Sequence, residues 1–205
     1  GLIFRGVSFE FREQAWKARG LWEWGFVIGS AVATIVQGAA IGTMIMGLPI
    51  QGTTYVGDGW DWLAPFPVLC GVGLVLGYSM LGAGWLILKT EGVVAQRARA
   101  QLRVLSIGFC VFVLVAFLIT QGVDLPVRNA WEKAPLWHWI APALGFVGLL
   151  GAFRTSRHGS AHERAPFAFC MLIIASAFAS LALSFWPYMM PYSLTIEEAA
   201  APTAS

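Results

Sequence analysis

The side chains able to ligate a metal or haem are few and scattered. Histidine occurs at positions 138, 158 and 162, and cysteine at 70, 110 and 170. Haem or copper would need His, Met or Cys ligands at matched depth. The spacing His158-Gly-Ser-Ala-His162 would set two imidazoles on one face of a helix, but Gly159 and Ser160 between them favour a solvated loop. His138 stands at the edge of an apolar stretch, and Met44, Met46, Met80 and Met171 read as packing residues. The cysteines show no CxxC spacing, so neither a zinc site nor a disulfide framework is indicated, and they read as small residues between helices. No cofactor is expected to be bound by this chain alone.

Charged chemistry is equally sparse inside the apolar stretches. They contain no Asp, Lys or Arg, and the single Glu23 lies at an edge. Intramembrane charges mark proton relays and ion paths, so a complete proton wire is not expected here. Gln37, Tyr78, Ser79, Ser176 and Ser180 are the uncharged polar residues at depth, and interhelical hydrogen bonding accounts for them. The string Gly71-Val-Gly73-Leu-Val-Leu-Gly77 evokes a dinucleotide fingerprint, yet it lacks the third glycine at the right offset and sits inside an apolar run.

The elements that must carry these residues follow from composition. Of 205 residues, 58% are hydrophobic and 12% charged, against roughly 25% charged in a soluble domain. The mean hydropathy is +0.69. Apolar runs of helical spanning length, rather than alternating short segments, predict an all-α polytopic membrane helix bundle and not a β-barrel. The predicted spans are 22–47, 62–88, 104–123, 137–153 and 166–187, about five in a single membrane domain over 1–205. The chain opens on Gly1-Leu2-Ile3-Phe4, which reads as the tail of a helix and hence as a fragment of a longer subunit.

Orientation follows from the cations. Eleven of the thirteen Lys and Arg residues fall in the segments 1–21, 89–103 and 154–165, and only Arg128 and Lys133 fall on the alternate side. The positive-inside rule makes the three basic segments cytoplasmic. Of the ten tryptophans, Trp22, Trp24, Trp60, Trp62, Trp85, Trp137, Trp139 and Trp186 sit near span ends, where an interfacial belt is expected. Glycines four apart, Gly25–Gly29, Gly38–Gly42 and Gly73–Gly77, with Gly82 and Gly84 following, predict close helix contacts.

Particular strings go further. Arg5-Gly6-Val7-Ser8-Phe9-Glu10-Phe11-Arg12 resembles a motif of subunit II of cytochrome bd-type quinol oxidases. Two blocks agree in the same order: residues 82–92, ending Lys89-Thr90-Glu91-Gly92, and residues 186–196, which begin Trp186-Pro187-Tyr188 and contain Pro191-Tyr192-Ser193. Gln37-Gly38 adds to the match. Glu197-Glu198 departs from it, standing where the family has an aromatic-acidic pair. The short connection between the third and fourth spans resembles the compact, cyanide-insensitive branch.

The resemblance implies a terminal oxidase of the plasma (inner) membrane that oxidises quinol and reduces dioxygen to water. It places haem b and haem d in a partner, subunit I, which subunit II supports in haem binding and proton access. It also implies that the matched region is the middle of a longer subunit. Arg5 and Glu10 are the residues best placed to meet subunit I or a haem propionate, since a guanidinium makes charge-assisted hydrogen bonds to carboxylates. Arg12, Gln37, Lys89, Glu91, Pro187 and Pro191 are the other motif positions. Lys89 reads first as a snorkelling cation and second as a partner contact, and the two prolines as shapers of a turn. The competing expectation is a fragment of a secondary transporter or of another non-catalytic multi-pass membrane protein, although the corresponding broken spans and polar midplane site of a transporter are not seen.

Overall fold

The computed structural model describes residues 2–14, 19–51, 54–122, 126–132, 134–157 and 164–200. His158 and His162, and with them the predicted His pair, lie outside the described residues, as do Lys17 and Lys133.

Five helices are long and apolar enough to cross a membrane. A first helix, α1 (Leu2–Gln14), precedes the long α2 (Arg19–Met46). Gly47 stops α2 with a left-handed φ of 87° and donates its N–H back to the Met44 carbonyl at 3.2 Å, which is how glycine closes a helix C-terminus. Two short strands follow, β1 (Ile50–Gln51) antiparallel to β2 (Thr54–Tyr55), with Ile50 opposite Tyr55. A 3₁₀ turn, Asp61–Leu63, leads into α3 (Pro65–Lys89), whose first residue is a proline. Proline suits that position because its missing N–H would have no helical partner anyway.

Only Thr90 and Glu91 separate α3 from α4 (Gly92–Gly122). The basic stretch 89–103, expected as a connection, is therefore helical from Gly92 onward. Alanine, glutamine, arginine and leucine dominate residues 95–103 and are strong helix formers. With 31 residues, α4 is about 46 Å long, well beyond the roughly 30 Å of hydrocarbon. A short α5 (Pro126–Glu132) and a 3₁₀ turn, Leu136–Trp139, come before α6 (Ile140–Arg157). Arg154 and Arg157 thus occupy the last turn of α6, where cations complement the helix dipole. The chain re-enters as α7 (Ala165–Phe185). It then forms a hairpin of β3 (Tyr188–Met190) and β4 (Leu194–Thr195), and finishes in α8 (Ile196–Ala199).

Packing joins α3 to α4, α4 to α6, α6 to α7 and α7 back to α3, a closed ring of four helices. α2 docks on the outside of α3, and α1 on α2. The core draws on all four ring helices: Met80, Ala83 and Ile87 from α3, Ala98 and Leu102 from α4, Leu149 and Ala152 from α6, Cys170 and Ile173 from α7. It lies in the half of the ring nearer the basic helix ends. Small residues set the helix separations, as membrane interfaces require. A Cβ on Gly38 would stand 2.6 Å from the Gly71 Cα, and one on Gly84 would stand 3.1 Å from the Phe167 Cα. Gly82 differs, for a Cβ there meets nothing within 4 Å. Cys170 is buried and Cys70 half-buried, whereas Cys110 is exposed on the outer face of α4, not packed between helices as expected.

Candidate functional site

The motif Arg5–Arg12 is wholly helical and lies along the start of α2. Aromatic rings fix it there. Phe9 faces Phe26 with centroids 6.5 Å apart, and Phe11 stacks on Trp22 at 5.4 Å. The Arg5 guanidinium lies 5.7 Å from the centroid of the Phe26 ring, a cation–π arrangement. Arg5 and Phe9 are four residues apart and share a face. Glu10, five residues on from Arg5, projects in another direction, so the two expected contact residues do not meet. Both are exposed. Beneath them Ser8 is fully buried, its hydroxyl without a hydrogen-bond partner among the described residues. Of Arg12 only the backbone is described.

The second block closes α3. Lys89 is exposed and leans back over Trp85, its Nζ 5.2 Å from the ring centroid. Trp85 in turn meets Phe167 of α7 edge-on at 5.4 Å. Glu91 is exposed in the two-residue link. Across the same end of the bundle, two guanidiniums of α4 reach the C-terminus of α6. Arg99 Nη1 donates to the Thr155 carbonyl at 3.5 Å, and Arg103 Nη2 to the Ser156 carbonyl at 3.2 Å. The last carbonyls of a helix have no intrahelical donor, so these arginines serve as a cap supplied by a neighbour. The Arg103 Nε is buried without a partner among the described residues.

The third block sits at the opposite end. Pro187 is exposed, its carbonyl accepting from the Ile196 N–H at 3.0 Å, while Pro191 is fully buried. Tyr192 has φ 62° and a buried hydroxyl with no partner among the described residues. Burial, with the neighbouring Tyr188 adding to it, pushes the Tyr192 phenol up from 10 to about 12. Below pH 10 the phenol is neutral whether the chain is folded or not. Between pH 10 and about 12 the unfolded chain loses the proton that the folded chain keeps. Stability attributable to this residue is therefore lost as pH rises through that window. Tyr192→Phe is expected to flatten that part of a stability–pH profile without loss near neutrality. An unchanged slope in urea unfolding of the variant would count against this. Nearby, the Trp131 indole donates to the Ser184 hydroxyl at 2.8 Å, tying α5 to α7.

The sequence grouped Gln37, Tyr78, Ser79, Ser176 and Ser180 as interhelical glue. Ser176 fits, donating across to the Ala141 carbonyl of α6, whereas at Ser180 the bond runs within α7, its backbone carbonyl accepting from Ser184, and Ser79 is exposed. Gln37 does not fit. It is exposed on the outer surface of α2, nine residues before the helix ends, next to the buried Gly38. An amide at that depth facing lipid is costly. The arginine cap on α6 carried no motif, since cations in a segment read as a connection hide their partners.

Of the candidate ligands, Met80 is locked in the core at 1% exposed, and His138 lies tilted against Trp137, ring centroids 3.9 Å apart, in the turn before α6. Among the described residues no three His, Cys, Asp or Glu side chains gather.

A ring of apolar helices of spanning length, with basic ends on one side and polar groups left facing outward, defines an all-α polytopic membrane protein. The chain belongs to the cytochrome bd terminal oxidase subunit II family, whose model matches residues 1–205. It is 32% identical to the probable cytochrome oxidase subunit 2 of Haemophilus influenzae, over 94% of this chain and 58% of the relative. It is 29% identical to the cytochrome bd-I ubiquinol oxidase subunit 2 of Escherichia coli, over 94% of the chain and 59% of that protein. A cytochrome bd ubiquinol oxidase subunit 2 of Bacillus subtilis is 27% identical over 66% of the chain. The chain thus spans somewhat more than half the length of the first two relatives.

Proposed function

We propose that this chain is part of a subunit of a quinol-oxidising, dioxygen-reducing terminal oxidase in which haem b and haem d are carried by a companion polypeptide. Its role is to brace that companion, supporting haem assembly and proton access. The observation that carries the reading is polar chemistry turned outward. Gln37 on α2 and Arg5 on α1 are exposed on neighbouring helices of a membrane bundle. A companion subunit would give both groups hydrogen-bond partners that lipid cannot. The Arg5 guanidinium would meet an acidic side chain or a haem propionate by charge-assisted hydrogen bonds.

Arg5→Ala in the full-length gene is expected to lower the reduced-minus-oxidised haem bands of the assembled oxidase beyond any loss of protein. Bands of unaltered amplitude would leave Arg5 as a mere anchor. Quinol-driven oxygen uptake by membranes with and without the intact gene tests the whole reading, and equal uptake rates would defeat it. We assign the basic helix ends to the cytoplasmic side of the plasma membrane by the positive-inside rule. Single cysteines introduced at Glu91 and at Asp58 should label from opposite sides of the membrane.

A further inference from the structure

A groove runs between α3 and α4 on the outer side of the ring, with a volume of about 660 Å³. Ser79, Gly82 and Leu86 line it from α3, and Ala100, Gln101 and Val104 from α4. No helix of the described bundle fills it. Gly82 has the spacing of a helix-contact glycine, yet a Cβ there would enter open space.

Two cations stand at its mouth. Lys89 follows Leu86 by three residues at the end of α3, and Arg97 precedes Gln101 by four near the start of α4, so each continues the strip of helix surface that walls the groove. Both are exposed, and Lys89 lies over the half-exposed Trp85, an amphipathic pair suited to headgroup depth. Glu91, in the link between the two helices, is exposed, and Lys89 and Arg97 outnumber it at this mouth, while Arg99 and Arg103 are turned to the α6 carbonyls.

We infer that this groove binds an anionic phospholipid, with one acyl chain along α3 and α4 and the phosphate between Lys89 and Arg97. Depth decides the occupant. From Lys89 to Ser79 is ten residues, about 15 Å of helix, half of the roughly 30 Å hydrocarbon core. The groove therefore spans one leaflet, the reach of a single acyl chain, whereas a membrane-crossing helix would need a face along the whole of α3. The positive mouth selects negative headgroups over zwitterionic ones.

The test places the protein, purified with whatever polypeptides accompany it, in phosphatidylcholine nanodiscs containing a minor fraction of phosphatidylglycerol. Lipid retained after mild detergent extraction is then counted by native mass spectrometry. The wild type should retain phosphatidylglycerol in preference to phosphatidylcholine, and added inorganic phosphate should not displace it. Arg97→Gln should weaken that retention about five-fold, the worth of one cation at a membrane surface. Gly82→Leu should fill the groove and abolish retention while leaving the melting temperature unchanged. Equal retention of the two lipids, or full retention by Gly82→Leu, would overturn the inference. So would displacement by phosphate, which would point to a bare anion site. Loss of an accompanying polypeptide from Gly82→Leu, in place of lipid, would assign the groove to a partner helix.

Discussion

Replacing Gly38 by leucine is expected to force α2 away from α3 and to be among the most destabilising single changes in the bundle. The added Cβ would stand 2.6 Å from the Gly71 Cα and 2.8 Å from the Cys70 carbonyl oxygen. Both are backbone atoms, so no rotamer change relieves the clash. The contact is reciprocal, since a Cβ on Gly71 would lie 2.7 Å from the Ile35 carbonyl oxygen. One turn further on, a Cβ on Gly42 would stand 2.6 Å from the Pro67 Cα, so the seam cannot pivot to make room. Overpacking of this kind costs roughly 1–3 kcal/mol, and the rest of each leucine side chain adds to it. Thermal unfolding in detergent, followed by tryptophan fluorescence, is the measurement. Gly20→Ala is the control, since a Cβ there meets nothing within 4 Å. Matching melting temperatures for the two variants would show that the seam is looser than these distances imply.

Arg103→Met is expected to cost about 1.5–3 kcal/mol, the range for a hydrogen bond involving a charged group. Methionine keeps most of the apolar stem but leaves the Ser156 carbonyl, now bonded to Arg103 Nη2 at 3.2 Å, without that donor. Arg99 reaches Thr155 at the longer distance of 3.5 Å and cannot serve both carbonyls well. The effect should concentrate at the end of α6, seen as faster amide exchange over Phe153–Arg157 while the Gly38 seam stays protected. Uniform exchange along the whole bundle would instead mean that Arg103 acts through the core.

The spanning helices were legible because lipid imposes a length and a polarity that hydropathy reads directly. Their ends were less so. Residues 92–103 looked like a connection because they are basic, yet charge reports contact with water, and a helix can continue into water when its residues favour it and a neighbour holds it. That neighbour is the C-terminus of α6, 53 residues from Arg103, a separation that periodicity cannot span. Glycine spacing showed which helices could approach closely but not which did. Gly84 packs on Phe167 and Gly82, two residues earlier, faces empty space, because successive helical positions point in different directions. The Arg5–Arg12 string was recognisable by family resemblance, while its seating on Phe26 and Trp22 came only with the fold. Gln37 is exposed on α2, and spacing alone did not show that its partner would have to come from outside this bundle.

The two-residue link at Thr90 and Glu91 bears on biogenesis. With so short a tether, and a left-handed Gly92 at φ 62° turning the chain, α3 and α4 form a tight helical hairpin, a geometry suited to entering the bilayer as one unit rather than as two independent segments.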